Sequence, residues 1–464
     1  MFKDFKGLNG KSGGQVDVLA RAVPRAASAE IPAPYGDGTE LNSRLELKRS
    51  LHARLLDEMN LAVIDKVRVP ELRREVANLV MEYLREKNIA MRSEAISELV
   101  DELLNELTGL GPLEPLLADP TVNDILVNSY RNVYVERHGV LEKAEVRFRD
   151  EKHLLRIIDK IVSRVGRRVD ESQPWVDARL EDGSRVNAII RPCAIDGPSL
   201  SIRKFSRNPL TLQRLVDGGA VTGRAAFLLQ AFVEARMNVL ISGGTGSGKT
   251  TMLNAMSAFI DPRQRIVTIE DAAELQLMQD HVVRLETRPS NAEGGGVVSQ
   301  RDLVKNALRM RPDRIIVGEV RGAEAFDMLQ AMNTGHDGSM TTIHANSARD
   351  AIGRLEQMVS MVGFDFPLRA IRQQIAAGIQ IVIQLSRLSD GRRRVMSISE
   401  VSGMEGDVIT MQDIFVFRKN GRSTSGEIMG EFVPTGIRPI CTSQISAAGI
   451  EVPSDLFLDN GSTP

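Results

Sequence analysis

Residues 239–250 read VLISGGTGSGKT, an apolar run followed by a glycine-rich segment that ends in lysine and threonine. Its second part, residues 243–250, matches the phosphate-loop pattern G-x-x-x-x-G-K-[ST] at every required position. The loop follows an apolar run typical of a buried strand and precedes a helical pattern, which is the context that the motif requires. The sequence therefore predicts a strand, a glycine-rich loop and a helix whose backbone N–H groups surround a phosphate.

Residue types within the loop predict its ligands. Lys249 is expected to neutralise the β- and γ-phosphates, and the Thr250 hydroxyl is expected to hold Mg²⁺. ATP and Mg²⁺ are therefore the predicted cofactors. The predicted nucleotide-binding residues are Gly243, Gly244, Thr245, Gly246, Ser247, Gly248, Lys249, Thr250 and Thr251.

Acidic residues follow two further apolar runs. Hydrolysis needs a carboxylate at the tip of a neighbouring strand to manage Mg²⁺ or the attacking water, and Glu319 follows the run 315–317. Glu270, Asp271 and Glu274 come just past another predicted strand, where open α/β sheets bind their ligands. One of these three carboxylates is a candidate general base.

Two of the six histidines, His336 and His344, lie in one segment downstream of the acidic residues. His344 comes at the end of a predicted strand. A single histidine is more often structural, but two of them near a phosphate site are candidates to sense or stabilise the γ-phosphate.

The remaining pattern predicts an α/β chain of several units. Beyond about residue 215, strand runs alternate with helical stretches, which favours an α/β core sheet. Strands are predicted at 125–127, 133–136, 186–190, 200–205, 239–242, 265–269, 282–285, 315–317, 340–344, 380–385, 394–401 and 414–418. The predicted organisation is a disordered arm (1–50), a helical segment (51–108), a small α+β domain (109–207), a linker (208–215) and the α/β domain with a C-terminal extension (216–464).

The amino-acid composition excludes several classes of protein and of binding site. Lys and Arg number 59 against 61 Asp and Glu, and aromatic residues make up only 4%, so direct nucleic-acid binding is not expected. Two cysteines exclude a disulfide framework or a four-cysteine zinc site within the chain. No uncharged apolar stretch of about 18 residues occurs, so no transmembrane segment is expected and a cytoplasmic location is predicted.

Four motifs in a fixed order resemble the type II/type IV secretion ATPase superfamily, which includes GspE- and PilT-like proteins. They are GGTGSGKT (243–250), TIEDAAEL (268–275), RIIVGEVRG (314–322) and GHDGSMTTIHAN (335–346). Within this superfamily, three stretches resemble the CpaF/TadA-type branch, which powers assembly of tight-adherence (Flp) pili. These stretches are DPTVNDILVNSYRNVYVERHG (119–139), SLSIRKFS (199–206) and GMEGDVITMQDIF (403–415).

The resemblance implies a homo-hexamer of two-domain subunits, each with a PAS-like domain followed by a RecA-like ATPase domain that holds ATP at the hinge. It assigns Glu319 to the Walker B motif, Glu270 and Glu274 to the Asp box, and His336 and His344 to the His box. Glu274 joins Thr250 and Glu319 as an expected metal ligand. Glu270 is preferred over Glu319 as the residue that activates water, and that choice stays open.

The resemblance also implies that arginines of the first domain reach the γ-phosphate. Arg203 matches one such position, and Arg185 or Arg191 is the expected second. The implied function is an ATP-hydrolysing motor that powers pilus assembly, and possible retraction, by acting on an inner-membrane platform protein. Two alternatives stay open: a secretion or conjugation ATPase that moves DNA or protein, and a nucleotide-gated scaffold with little turnover.

Overall fold

The computed structural model describes residues 47–48, 50–51, 54–55, 69–137, 139–205, 210–288, 295–363, 367–424 and 426–458. The predicted disordered arm (1–50) lies outside the described residues except at positions 47, 48 and 50, which are helical. The chain divides into two compact units, Met1–Val100 and Asp101–Pro464.

Twelve α-helices and fifteen strands have defined bounds within the described residues. The helices are α1 (Val69–Glu86), α2 (Ser93–Leu107), α3 (Glu114–Ala118), α4 (Glu151–Arg164), α5 (Leu212–Asp217), α6 (Gly223–Glu234), α7 (Lys249–Ser257), α8 (Gln300–Ala307), α9 (Glu324–Asn333), α10 (Ala348–Ser360), α11 (Leu368–Gly378) and α12 (Thr442–Ala447). The strands are β1 (Val122–Ser129), β2 (Asn132–Arg137), β3 (Val140–Lys143), β4 (Trp175–Arg179), β5 (Arg185–Ile189), β6 (Ser199–Arg203), β7 (Val239–Gly243), β8 (Ile266–Glu270), β9 (Val282–Glu286), β10 (Arg314–Val320), β11 (Met340–Ile343), β12 (Ile381–Arg387), β13 (Arg393–Glu405), β14 (Val408–Arg422) and β15 (Ile428–Pro434). Each predicted strand is confirmed, and β3, β4, β9 and β15 lie at sheet edges.

The smaller sheet is entirely antiparallel, with strand order β3-β2-β1-β6-β5-β4. Helix α4 packs on it, and Asp150 caps the start of this helix by accepting a hydrogen bond from the His153 backbone N–H at 2.7 Å. Ile158 and Ile161 of the helix share one core with Ile125 and Val135 of the sheet. An apolar stripe at helical spacing faces alternate strand residues, so this part forms its own hydrophobic core.

The larger sheet has the order β15-β14-β13-β12-β7-β11-β10-β8-β9. The six strands from β12 to β9 are parallel, and β13, β14 and β15 continue the sheet as antiparallel hairpins. Strand β7 is buried along its whole length, with Val239 and Ile241 in one core and Leu240 in the core on the opposite face. Burial on both faces explains why its sequence is a continuous apolar run rather than an alternating one.

Parallel pairing places the functional segments at one edge. The carboxyl ends of β7, β8, β10 and β11 lead into the phosphate loop and into Glu270, Glu319 and His344 respectively. This is the sheet edge at which open α/β folds bind ligands. The α/β fold class predicted from the sequence is confirmed.

The structure differs in detail from the predicted domain organisation. Part of the predicted linker is helical, because Thr211 caps α5 by accepting a hydrogen bond from the Arg214 backbone N–H at 3.3 Å. Residues 208 and 209 of that linker lie outside the described part, and the predicted domain boundaries remain predictions. No helix among the described residues is long and apolar enough to cross a bilayer.

Asn238, the residue before β7, forms hydrogen bonds with the segments that lead into the neighbouring parallel strands β11 and β12. Its side chain is 3% exposed, and its Nδ2 donates to the Gly378 carbonyl at 2.9 Å. Its Oδ1 accepts from the backbone N–H groups of Gly338 at 2.9 Å and Ser339 at 3.0 Å, at the start of β11. One buried amide therefore satisfies backbone groups of two flanking segments.

We predict that Asn238→Ala lowers the free energy of unfolding by about 2–4 kcal/mol, because buried backbone groups lose their partners. Urea denaturation without nucleotide measures the change. The matched control is Asn333→Ala, which removes an exposed amide bonded to Gln374 and should cost less than about 1 kcal/mol. Equal losses for the two variants would contradict the proposed role of Asn238.

Candidate functional site

The phosphate loop depends on glycines at defined positions. Gly246 and Gly248 have φ values of +68° and +96°, in the region that costs other residues about 1–2 kcal/mol each. A Cβ on Gly243 would lie 2.4 Å from Ser247 Oγ and 2.7 Å from the Leu385 carbonyl oxygen. The loop therefore packs too closely for a side chain at its first position.

The Lys249 side chain lies against the backbone of this loop. Its Nζ donates to the carbonyl oxygens of Gly243 at 3.0 Å and Gly244 at 3.2 Å, and the residue is 7% exposed. His344 Nε2 lies 3.1 Å from the same ammonium. Burial lowers the pKa of Lys249, and the nearby Glu319 carboxylate opposes that shift.

Glu319, at the end of β10, has both carboxylate oxygens engaged. Oε1 lies 3.0 Å from His344 Nε2, and Oε2 accepts a hydrogen bond from Arg321 Nη2 at 3.0 Å. Arg321 Nη1 also reaches Asp271 Oδ2 at 3.4 Å, which links the ends of β10 and β8. Lys249, His344, Glu319 and Arg321 thus form one chain of charged and polar contacts beside the loop.

Glu270 is the most deeply buried acid of the site, at 3% exposure. Its Oε2 accepts hydrogen bonds from the backbone N–H groups of Glu274 at 2.6 Å and Leu275 at 2.9 Å. Its Oε1 is buried and has no hydrogen-bond partner among the described residues. Burial raises the pKa of Glu270 above its usual value, against the two backbone hydrogen bonds.

Arginines of the small sheet reach the segment that follows β8. Arg185 Nη2 donates to the Ala272 carbonyl at 2.5 Å, and Nη1 lies 2.8 Å from Glu274 Oε1 without the alignment of a hydrogen bond. A cavity of about 240 Å³ opens beside these contacts. Its lining includes Arg185, Arg203, Phe205, Thr250, Thr251 and Glu274. The cavity therefore lies between the small sheet and the helix that starts at the phosphate loop.

Residues 106–427 match the family described as Type II/IV secretion system protein, over more than two thirds of the chain. The chain belongs to this family. The matched range contains both sheets up to the end of β14.

The chain is also similar to proteins of known name. A Mycobacterium tuberculosis protein named "Putative conjugal transfer protein" is 42% identical over 312 residues, covering 66% of this chain and 88% of the relative. The conjugal transfer protein TrbB of Rhizobium radiobacter is 33% identical over 302 residues, covering 62% of this chain and 86% of TrbB. The VirB11 ATPase of the Brucella suis type IV secretion system, solved with sulphate, is 29% identical with a TM-score of 0.35, covering 62% of this chain and 92% of VirB11.

The structure of this secretion-family chain brings most of the predicted site residues together. The predicted nucleotide-binding residues 243–251 form the loop and the start of α7. Glu270, Glu319 and His344 lie at the adjoining strand ends, and Glu274 faces Arg185. These placements agree with the sequence expectation, and the roles of the residues remain proposals.

Two predicted residues lie elsewhere within the subunit. His336 precedes β11 and so lies at the opposite edge of the sheet from His344, with Nδ1 3.2 Å from the Ala331 carbonyl oxygen. The expectation that both histidines adjoin the phosphate loop is wrong for this chain, since strand β11 separates them. Arg191 Nε lies 3.3 Å from Glu151 Oε1 and is not part of the cavity lining, whereas Arg203 does line it and pairs with Asp124.

Sequence reasoning missed three arginines. Arg321 stands two residues after Glu319 inside a motif already singled out, so its position was a usable signal. Arg387 and Arg393 flank the β12–β13 turn and approach the phosphate loop from outside. Nothing in their local sequence indicates this, because the contact joins segments about 140 residues apart.

We predict that the pKa of His344 lies below 6.5, because burial and the neighbouring Lys249 ammonium disfavour the charged ring more than Glu319 favours it. The unfolded chain then binds more protons than the native state between the lowered pKa and about 6.5. Stability is therefore full above about pH 6.5 and falls as the pH drops through this window. NMR titration of the ring, with unfolding measured in parallel on His344→Asn, tests this. A measured pKa above 6.5, or an unchanged pH slope in the variant, would contradict it.

Proposed function

We propose that the chain binds Mg²⁺-ATP at the phosphate loop and hydrolyses it. The observation that carries this proposal is the buried Lys249 ammonium, held on the loop carbonyls and flanked by Glu319 through His344. A cation held in a glycine loop at the start of a helix is suited to bind phosphate oxygens. The neighbouring acids supply the groups that hydrolysis needs in addition to binding.

The residues present suit both ligands. Positive φ values at Gly246 and Gly248 let the backbone curl around an anion without side chains in the way. Thr250, Glu319 and Glu274 offer the hydroxyl and carboxylate oxygens that Mg²⁺ prefers, and these residues would hold it. When bound, Mg²⁺ supplies positive charge that offsets the charge of the phosphates.

Glu270 is the proposed general base. A base must have a free oxygen and a pKa nearer to neutral than that of an exposed carboxylate. Glu270 meets both requirements, since Oε1 has no partner among the described residues and burial raises its pKa. Both oxygens of Glu319 are in contact with Arg321 or His344, so Glu319 lacks the free oxygen that Glu270 has.

Arg185 and Arg203 are the proposed arginines that stabilise charge on the γ-phosphate. Both line the cavity that Thr250 and Thr251 border, so small movements of the small sheet would bring them to a bound nucleotide. A guanidinium offers several donors in a rigid fork and suits this role. Arg191 is the weaker candidate because it is not part of the cavity lining.

We further propose that the subunits assemble into a hexameric ring that works as a motor for tight-adherence pilus assembly from the cytoplasmic side. ATP-driven closure of the small sheet on the larger one would displace an inner-membrane platform protein. Support comes from the three CpaF/TadA-like stretches and from the contacts that Arg179 and Arg185 make with Glu286 and Glu274 between the two sheets.

A conjugation motor is the second candidate function. The names of the relatives favour it, since two of those given above are conjugal transfer proteins. The catalytic chemistry would be the same in both cases, and only the cargo would differ. Balanced charge and few aromatic residues weigh against direct binding of single-stranded DNA by this chain.

We predict that Glu270→Gln lowers Mg²⁺-ATP turnover by about 100-fold or more, because the base is lost. The variant should unfold no more easily than wild type. A glutamine oxygen can still accept the two backbone hydrogen bonds, and the buried charge disappears. Steady-state phosphate release, with Lys249→Ala as the blank and the exposed Glu405→Gln as the matched control, measures the effect.

The outcomes of this assay distinguish the two candidate general bases and the candidate functions of the chain. Loss of turnover in Glu319→Gln with full turnover in Glu270→Gln would assign the base to Glu319. Wild-type turnover no higher than the Lys249→Ala blank would favour a nucleotide-gated scaffold. Strong stimulation by single-stranded DNA would favour the conjugation motor, whereas activity that rises with protein concentration and ignores DNA supports the assembling pilus motor.

A further inference from the structure

Two arginines brace the outside of the phosphate loop. Arg393, the first residue of β13, donates from Nε to the Gly246 carbonyl at 2.9 Å, and its Cδ lies 3.7 Å from the position of a Cβ on Gly248. Arg387, the last residue of β12, places Nη1 3.7 Å from the position of a Cβ on Gly246. Arg393 therefore contacts the part of the loop that glycines leave without side chains, and Arg387 lies close to it.

The same two arginines contact the small sheet with their other nitrogens. Arg393 Nη2 lies 3.8 Å from Glu136 Oε1 on β2, and Arg387 Nη2 donates to the Gly139 carbonyl just before β3. The Glu136 side chain is 16% exposed, so its carboxylate is partly shielded from water. One guanidinium thus joins a loop carbonyl of the larger sheet to a carboxylate of the smaller sheet.

Contact with a single carbonyl can orient the loop because a peptide group is planar. The Gly246 carbonyl and the Ser247 N–H belong to one trans peptide unit and point in opposite directions. The hydrogen bond from Arg393 to the oxygen therefore also fixes the Ser247 N–H, which donates to the Gly244 carbonyl at 3.3 Å within the loop. A phosphate loop binds its ligand through the backbone N–H groups of successive residues, so fixing one peptide unit restricts the arrangement of its neighbours.

We propose that Arg393 is a positioning residue that preorganises the phosphate loop for nucleotide, and that Glu136 of the small sheet holds Arg393 in place. This inference rests on the proposed nucleotide site. Through these contacts, the position of the small sheet sets the affinity of the loop for nucleotide. Glycines allow the loop many backbone conformations, and nucleotide binding must restrict it to one. A contact that restricts the loop before nucleotide binds therefore strengthens binding.

The chain supplies a matched control in the next residue. Arg392 has a side chain 47% exposed, against 46% for Arg393, and it pairs with Glu427 rather than with the loop. Replacing either arginine removes the same charge from the same turn. Only Arg393→Gln removes the contact with Gly246.

The test is calorimetric titration of the full chain with ADP, alongside thermal unfolding without nucleotide. We expect Arg393→Gln to weaken ADP binding about tenfold and Arg392→Gln less than about twofold, in line with loss of one charge-assisted hydrogen bond. Thermal midpoints of the two variants should be equal without nucleotide. Arg393→Lys should recover part of the affinity, because it restores one donor without the second contact.

Glu136 is tested by a double-mutant cycle. Glu136→Gln alone should weaken ADP binding, and Glu136→Gln combined with Arg393→Gln should be no weaker than Arg393→Gln alone. The effect of Glu136→Gln should shrink as NaCl is raised, because the ion pair is partly exposed. Additive losses in the cycle would overturn the role given to Glu136.

Two further results would overturn the inference. If Arg393→Gln binds ADP as Arg392→Gln does while Lys249→Ala loses binding, the nucleotide site stands and the brace is wrong. If Arg393→Gln unfolds at a lower temperature than Arg392→Gln without nucleotide, the residue is structural. Wild-type chain that binds ADP no better than Lys249→Ala would instead remove the proposed function and the inference together.

Discussion

The buried Lys249 ammonium is the interaction on which the rest of the site depends. A charge taken out of water is costly unless hydrogen-bonding partners surround it, and here the loop's own carbonyls accept from it, with the His344 ring 3.1 Å away. The His344 ring is in reach only because β7 and β11 are parallel neighbours that end at the same edge. The glycines are required because the carbonyls must turn toward the lysine within a tight loop. Strand order, loop composition and buried charge therefore depend on one another.

The sequence predicted the parts of this arrangement that follow from local pattern. A complete phosphate-loop motif after an apolar run specified the strand, loop and helix, and the parallel sheet then placed Glu270 and Glu319 at adjoining strand ends. His336 shows the limit of that reasoning. It stands eight residues before His344 in the sequence, but the four residues of β11 carry the chain from one edge of the sheet to the other. Nearness along a chain does not tell which end of a strand a residue occupies.

Contacts between residues far apart along the chain could not be predicted from a single sequence. Arg393 lies in a run of three arginines with no recognisable motif, and its function depends on the β12–β13 hairpin returning beside the loop. Arg185 could be named as a candidate but not distinguished from Arg191, because only the fold shows which of them faces Glu274. Membership of the Type II/IV secretion system family is shown by the match over residues 106–427.

A structure of the chain with Mg²⁺ and a non-hydrolysable ATP analogue would test directly whether Lys249 and Glu270 act on bound nucleotide. We predict that Lys249 leaves the carbonyls of Gly243 and Gly244 for the β- and γ-phosphates, and that a water lies against Glu270 Oε1. An analogue bound away from the loop, or a Lys249 that keeps its carbonyl contacts beside the bound phosphates, would contradict it.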